Sequence, residues 1–242
     1  MPVPAKAFQL WLHGVAPTAS TADICRVSGV KRTTLAQQLV RGKVAESTVV
    51  SISRALGINP ADALASFENY ADLTRLAQAP SAAELVSQVA TMDLLRAVIS
   101  RSAEEQGERR PHALSPAPHA TSVRNWVDAI DDGELRHRVS AATGVAPQNY
   151  SAQLTANRLS PELAVATSRA AGVGLAGGLV ATGLITEVEA GWPTDARQAA
   201  LDALSDGELV ALAGERLQTL GKALRRQEQE RAQTEKIWEN LG

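Results

Sequence analysis

The stretch TADICRVSGVKRTTLAQQLVRGKVAESTVVSISRALGINPADAL, residues 21–64, decides the fold. Its apolar residues recur at helical spacing, and glycines that suit tight turns separate the periodic segments. Gly29 fits the left-handed position of such a turn, because glycine has no side chain to clash there. The pattern therefore predicts a series of short helices. They cover 7–12, 22–27, 31–40 and 47–56, and Asn59-Pro60 opens a last one.

The same pattern returns 115 residues later without a gap, over about residues 11–67. Trp11 matches Trp126, and Gly29 matches Gly144. The repeat predicts helices over 122–130 and 134–142 and another that opens at Pro147, with Tyr150 and Leu154 as its buried pair. Other identical positions are Val30/Val145, Gln38-Leu39/Gln153-Leu154, Arg54-Ala55/Arg169-Ala170, Gly57/Gly172 and Leu64/Leu179.

The repeat predicts how the chain divides into domains. Residues 81–101 still resemble 195–216, so each copy carries trailing helices. Residues 102–121 are polar, contain three prolines and have no periodicity, which is typical of a linker. We expect an all-α protein with a first domain over 1–101, a linker over 102–121 and a second domain with a helical tail over 122–242. We call the two flanking segments the first and the second repeat.

Composition limits the class of protein. The 242 residues carry a net charge of −2, 3% aromatics and one cysteine. A single cysteine excludes a disulfide framework and a cysteine-based zinc site. No apolar run reaches membrane-spanning length, so we expect a cytoplasmic protein that does not enter a membrane.

The nearly neutral net charge disfavours nucleic acid as a partner only as an average. Residues 21–54 contain six basic and two acidic side chains, a net charge of +4. Residues 136–169 contain four basic and one acidic side chain, a net charge of +3. The basic charge therefore lies on the two repeated segments, where phosphate binding would need it.

Two short helices joined by a glycine turn resemble a helix-turn-helix. A small residue stands in the first helix of each pair, Cys25 and Ser140, and the turn glycine follows four residues later. With helices before and after, residues 21–64 resemble the Cro/lambda-repressor-like DNA-binding family. The resemblance implies two tandem five-helix DNA-binding domains with extra helices and a C-terminal helix. GLVATGLITEVEA and SDGELVALAGERL, farther along, are similar to immunity repressors of actinobacterial phages.

In this family the second helix of the motif enters the major groove of double-stranded DNA. The resemblance implies that the first repeat reads bases with residues at the start of that helix, where Arg32 suits guanine and Gln37 suits adenine. Arg41 and Lys43 are expected to bind phosphate. Gln38 and its counterpart Gln153 are expected to face inward. The DNA-binding candidates of the first repeat are Lys31, Arg32, Thr33, Thr34, Gln37, Arg41 and Lys43.

The second repeat departs from this pattern, since Ala146-Pro147 stands where the first repeat has Lys31-Arg32. Gln148 and Asn149 suit adenine. Arg136 and Arg138 are expected to reach the DNA backbone. The DNA-binding candidates of the second repeat are Arg136, Arg138, Gln148, Asn149, Ser151, Gln153, Asn157 and Arg158.

The resemblance implies a repressor that works by occupying an operator. Because the two reading helices differ, we expect one chain to bind an asymmetric, bipartite operator. Half-site orientation stays open. A monomer is expected to suffice, and the seven-residue spacing of Val210, Leu217 and Leu224 leaves dimerisation through the C-terminal helix as an alternative.

No catalytic set, metal site or cofactor is expected. The GxGxxG of Gly172, Gly174 and Gly177 lies between predicted helices, whereas a dinucleotide site needs a preceding strand. The four histidines are scattered. The main alternative to a repressor is a protein–protein adaptor or antitoxin that reuses the helical fold. Salt dependence separates the two, because only phosphate contacts weaken steeply with salt.

Overall fold

A computed structural model describes residues 2–75, 78–104 and 113–239, and within them the fold is all-α apart from one pair of two-residue strands. β1 (Val3–Pro4) pairs antiparallel with β2 (Lys43–Val44). A 3-10 turn covers Glu68–Tyr70. The helices are α1 (Ala5–Val15), α2 (Thr21–Ser28), α3 (Arg32–Val40), α4 (Glu46–Ala55), α5 (Pro60–Ala65), α6 (Asp72–Arg75), α7 (Ala82–Ser87), α8 (Thr91–Glu104), α9 (Ser122–Ile130), α10 (Leu135–Thr143), α11 (Pro147–Thr155), α12 (Pro161–Ala171), α13 (Leu175–Ala181), α14 (Ala196–Asp202) and α15 (Asp206–Glu239).

The helices of the first repeat recur in the second at the offset of the sequence repeat. α3 and α11 begin and end 115 residues apart, and so do the starts of α4 and α12. The trailing helices follow the same offset, since α8 begins at Thr91 and α15 at Asp206. The predicted helix over 122–130 is confirmed residue for residue as α9. Over the described residues, no helix is long and apolar enough to cross a membrane.

The turns after α2 and α10 have the same conformation. Gly29 and Gly144 both have φ 71° and ψ 3°, the left-handed geometry that ends a helix. The residue before each glycine ties the turn to its helix in the same way. Ser28 Oγ donates to Ile24 O at 2.7 Å, and Thr143 Oγ1 donates to Val139 O at 2.7 Å. The two turns therefore share a local hydrogen-bond pattern as well as a glycine.

Gly29→Ala is expected to lower the free energy of unfolding by about 1–2 kcal/mol, because a side chain is strained at positive φ. Gly14 is the matched control, since a Cβ on either glycine meets nothing within 4 Å. Gly14 lies inside α1, so Gly14→Ala should instead add up to about 1 kcal/mol. Urea unfolding of the two variants measures both values, and equal effects would contradict this account of the turn.

The cores of the repeats are filled differently at equivalent positions. Leu35 and Ile52 are buried in the first repeat. In the second repeat the equivalent residues are Tyr150 and Thr167, also buried, and their hydroxyls are 3.0 Å apart. A buried hydroxyl costs free energy without a partner, so the two polar replacements satisfy each other. Tyr150 and Leu154 are confirmed as the buried residues of α11, and Cys25 is confirmed as buried.

The chain folds into two compact units that do not follow the expected boundaries at 101 and 122. The larger unit comprises Met1–Gln88 and Pro116–Arg197, and the smaller comprises Val89–Ser115 and Gln198–Gly242. The larger unit contains α1–α7 and α9–α13, so helices from both repeats share it. α8, most of α14 and α15 form the smaller unit. Periodicity identifies the helices but does not specify which of them pack together.

The predicted linker over 102–121 is partly structured. α8 continues through Glu104, and residues 105–112 lie outside the described residues. In the smaller unit, the backbone N–H of Ser115 donates to Asp93 Oδ2 at 2.8 Å. In the larger unit, the backbone N–H of His119 donates to Ser122 Oγ at 2.8 Å. The end of this segment is therefore held by specific hydrogen bonds.

Candidate nucleic-acid interface

The first repeat exposes the polar side of α3. Leu35 is buried and fixes the rotation of the helix. The candidate side chains at the N-cap and in the first two turns of α3 are all exposed. They are Lys31, Arg32, Thr33, Thr34 and Gln37.

Four cations surround this helix without an ion-pair partner among the described residues. Lys31 and Arg32 lie at the start of α3, and Arg41 and Lys43 follow its end; all four are exposed. Arg26, by contrast, is already paired, since its Nη2 lies 3.1 Å from Asp23 Oδ1. The four free cations can therefore interact with an external anion without breaking an internal ion pair. We call them the α3 cation group.

The backbone that carries Arg41 and Lys43 is fixed from two sides. β2 pairs with β1, and the N–H of Ala5 donates to Gly42 O at 3.0 Å. Gln38 turns inward, as expected, and its Oε1 accepts from Ala45 N at 3.3 Å and Thr48 Oγ1 at 3.0 Å. Gln38 is thus a positioning residue for the segment after α3.

The second repeat exposes a smaller set of polar groups. Gln148 and Asn149 are exposed at the start of α11, and Arg158 is exposed after its end. Ser151 and Gln153 are half-buried. The start of α11 therefore exposes two amide side chains. It has no charge at Ala146 and Pro147, where the first repeat has Lys31 and Arg32.

Asn157 is placed differently from its predicted base-reading role. Its Oδ1 accepts from the backbone N–H of Val123 at 2.9 Å and of Arg124 at 3.3 Å, which satisfies the start of α9. Its φ of 50° is the left-handed conformation that asparagine tolerates better than most residues. Asn157 occupies the position of Gly42, which anchors the start of α1 through its carbonyl instead. Asn157 Oδ1 therefore stabilises the start of α9.

Arg138 is also more engaged than its predicted phosphate-binding role implies. Its Nη1 lies 2.9 Å from Asp132 Oδ2, and its Nε donates to Ala170 O at 3.0 Å. The hydrogen bond from Arg138 lowers the pKa of the Asp132 carboxyl. Arg136 is exposed and lies 3.9 Å from Asp131, so it is the more available of the two.

The sequence reasoning missed the residues that join the repeats inside the larger unit. Arg54 Nε lies 2.6 Å from Glu189 Oε1, and this contact lowers the pKa of Glu189. The indole N–H of Trp126 donates to Glu84 Oε1 at 3.2 Å. One signal was visible, since Arg54 recurs as Arg169 at a position where helix periodicity requires no arginine. Within the larger unit, the two repeats therefore contact each other directly.

The arrangement presents two polar helices, α3 and α11, that follow equivalent glycine turns, with cations concentrated around the first. Exposed guanidinium, ammonium and amide groups can hydrogen-bond to phosphates and base edges. No protein-family model, curated protein or solved structure matches this chain.

Proposed function

We propose that this protein binds double-stranded DNA sequence-specifically through two different helix-turn-helix units of the Cro/lambda-repressor-like type. It represses transcription by occupying its operator, as a phage immunity repressor would, and no catalysis is needed. The α3 cation group carries the proposal, because these four exposed cations form no ion pair with any described residue and border one helix that follows a left-handed glycine turn. Such a cluster favours a polyanion as partner.

Each element has a distinct role in the proposal. Arg32 pairs with guanine O6 and N7, and Gln37 with adenine. Arg41 and Lys43 bind phosphates and set the register of α3 on the duplex. In the second repeat, Gln148 and Asn149 read adenine. One chain contains both reading helices and binds as a monomer.

Titration of a random-sequence duplex at rising salt tests the proposal. The log of the affinity should fall linearly with the log of the salt concentration, with a slope set by the number of phosphates contacted. Replacing the α3 cation group by alanine should weaken binding strongly and reduce the slope by about 2, because Arg41 and Lys43 are the phosphate contacts of the group. The four substitutions are Lys31→Ala, Arg32→Ala, Arg41→Ala and Lys43→Ala.

The control variant loses the same charge elsewhere on the exposed surface. It should bind the duplex nearly as tightly as the unmodified chain. Equal weakening of both variants, or no duplex binding at 50 mM salt, would overturn the proposal. The control substitutions are Lys6→Ala, Lys222→Ala, Arg225→Ala and Arg231→Ala.

A protein–protein adaptor is the second candidate, and one surface favours it. Leu217, Leu220 and Leu224 on α15 are 37–48% exposed. Apolar side chains at heptad-like spacing suit a helical partner. Association through this surface should change little with salt, so the same titration separates the two functions.

A further inference from the structure

Two arginines make the same contact in opposite directions across the larger unit. Arg54 Nη2 donates to Leu184 O at 3.2 Å, and Arg169 Nη2 donates to Asn69 O at 3.2 Å. Arg54 and Arg169 are equivalent residues, and so are Asn69 and Leu184, since each pair is 115 apart. Each repeat therefore donates a hydrogen bond from the equivalent arginine to the equivalent backbone oxygen of the other repeat.

Such reciprocity identifies the symmetry of the contact. When residue i of one copy meets residue j of the other and j meets i, the copies are related by a two-fold rotation. A head-to-tail arrangement would use the arginine of one repeat and the carbonyl of the other only once. An acidic side chain supports each arginine, Glu189 for Arg54 and Asp72 for Arg169, although these acids are not at equivalent positions.

The smaller unit, taken by itself, also brings equivalent residues of the two repeats together. α8 packs against α15, and these helices begin at equivalent residues. Equivalent side chains of the two helices and of the residues just before them belong to one cluster, as expected where like surfaces face each other across a two-fold axis. The cluster contains the equivalent pairs Val89/Leu204, Leu94/Leu209, Ala97/Leu212 and Val98/Ala213.

The symmetry does not extend to every helix. α7 packs against α9, where Glu84 accepts the Trp126 hydrogen bond. The residue equivalent to Glu84 is Ala199, which has no carboxylate to offer Trp11. Within the larger unit, the two-fold relation thus rests on the reciprocal contacts of Arg54 in α4 and Arg169 in α12.

We infer that the chain is an intramolecular pseudo-dimer that binds two inverted half-sites of unequal sequence. This inference rests on the proposed function. The symmetry of a helix-turn-helix dimer is mirrored in its operator, because a two-fold rotation of the protein reverses the direction of the second reading helix along the DNA. Here the rotation relates two different helices, so the half-sites are inverted in direction but differ in bases.

A symmetrised variant allows the relative orientation of the two half-sites to be determined from the selected DNA sequences. It gives α11 the exposed residues of α3, so both helices should read the same half-site. The variant and the unmodified chain are each used to select duplexes from a random pool. The substitutions are Ala146→Lys, Pro147→Arg, Gln148→Thr, Asn149→Thr and Ala152→Gln.

The unmodified chain should select two unequal half-sites at a fixed spacing, and the symmetrised variant should select an inverted repeat. A direct repeat, or a single half-site, from the variant would overturn the inference while leaving DNA binding intact. No enrichment with the unmodified chain would overturn the proposed function itself. The two failures are therefore distinguishable.

A converse variant gives α3 the equivalent residues of α11, so that a folding defect in the symmetrised variant does not decide the test. It should select an inverted repeat of the other half-site. Its proline falls at the first position of α3, where a missing N–H costs little. A direct repeat from this variant would equally contradict the two-fold relation. Its substitutions are Lys31→Ala, Arg32→Pro, Thr33→Gln, Thr34→Asn and Gln37→Ala.

Discussion

Trp126→Ala is expected to lower the free energy of unfolding by about 3–5 kcal/mol, the usual cost of removing a large buried aromatic side chain. Trp126 is 0% exposed and its indole N–H is bonded to Glu84, itself 1% exposed. The ring is tightly enclosed, since a Cβ on Gly178 would lie 2.8 Å from it. The variant would leave a cavity and one carboxylate oxygen without its donor. Urea unfolding of the full chain measures the loss.

Trp11→Ala is the matched control, because Trp11 is the equivalent residue of the first repeat. Trp11 is half-buried and packs on Phe8 and Phe67, with ring centroids 5.8 and 5.9 Å away. It should therefore cost clearly less than Trp126→Ala. Equal losses would contradict the view that the Trp126–Glu84 contact joins α9 to α7 and that the first repeat lacks this contact.

Arg32→Ala is expected to weaken binding to the selected operator by about 1–3 kcal/mol, or 5- to 150-fold, and to relax base preference in one half-site. Arg32 lies at the first position of α3, is exposed and has no ion pair among the described residues. Competition with single-base operator variants measures the preference at each position.

Two variants control for charge and for location. Arg26→Ala removes an exposed arginine that is already paired with Asp23, and it should leave base preference unchanged. Gln148→Ala should relax the other half-site, because Gln148 is exposed at the start of α11. If Arg32→Ala weakened all sequences equally, Arg32 would be a phosphate contact and the assignment of base reading would be wrong.

Local structure was largely predictable from the sequence. The periodicity and turn glycines predicted α2, α3 and α4 to within about a residue at each end, and the repeat predicted α9, α10 and the start of α11. α1 extends two to three residues beyond its predicted range of 7–12 at each end. These features depend on neighbouring residues, which is why a single sequence reveals them.

The contacts between the repeats were not predictable in the same way. Nothing in the periodicity of α7 indicates that Glu84 meets Trp126, 42 residues away. Asn157 was predicted as a DNA-binding candidate because an asparagine after a recognition helix is a plausible DNA contact, but its bonds to the start of α9 could not be predicted. Its backbone conformation and its bonds to Val123 and Arg124 depend on how α9 packs, which the local sequence does not encode.

Selection of bound duplexes from a random pool by the unmodified chain tests the central claim most directly. We expect enrichment of one bipartite motif with two unequal half-sites at a fixed spacing, because α3 and α11 present different side chains. Absence of enrichment at low salt would contradict DNA binding as the function of the chain.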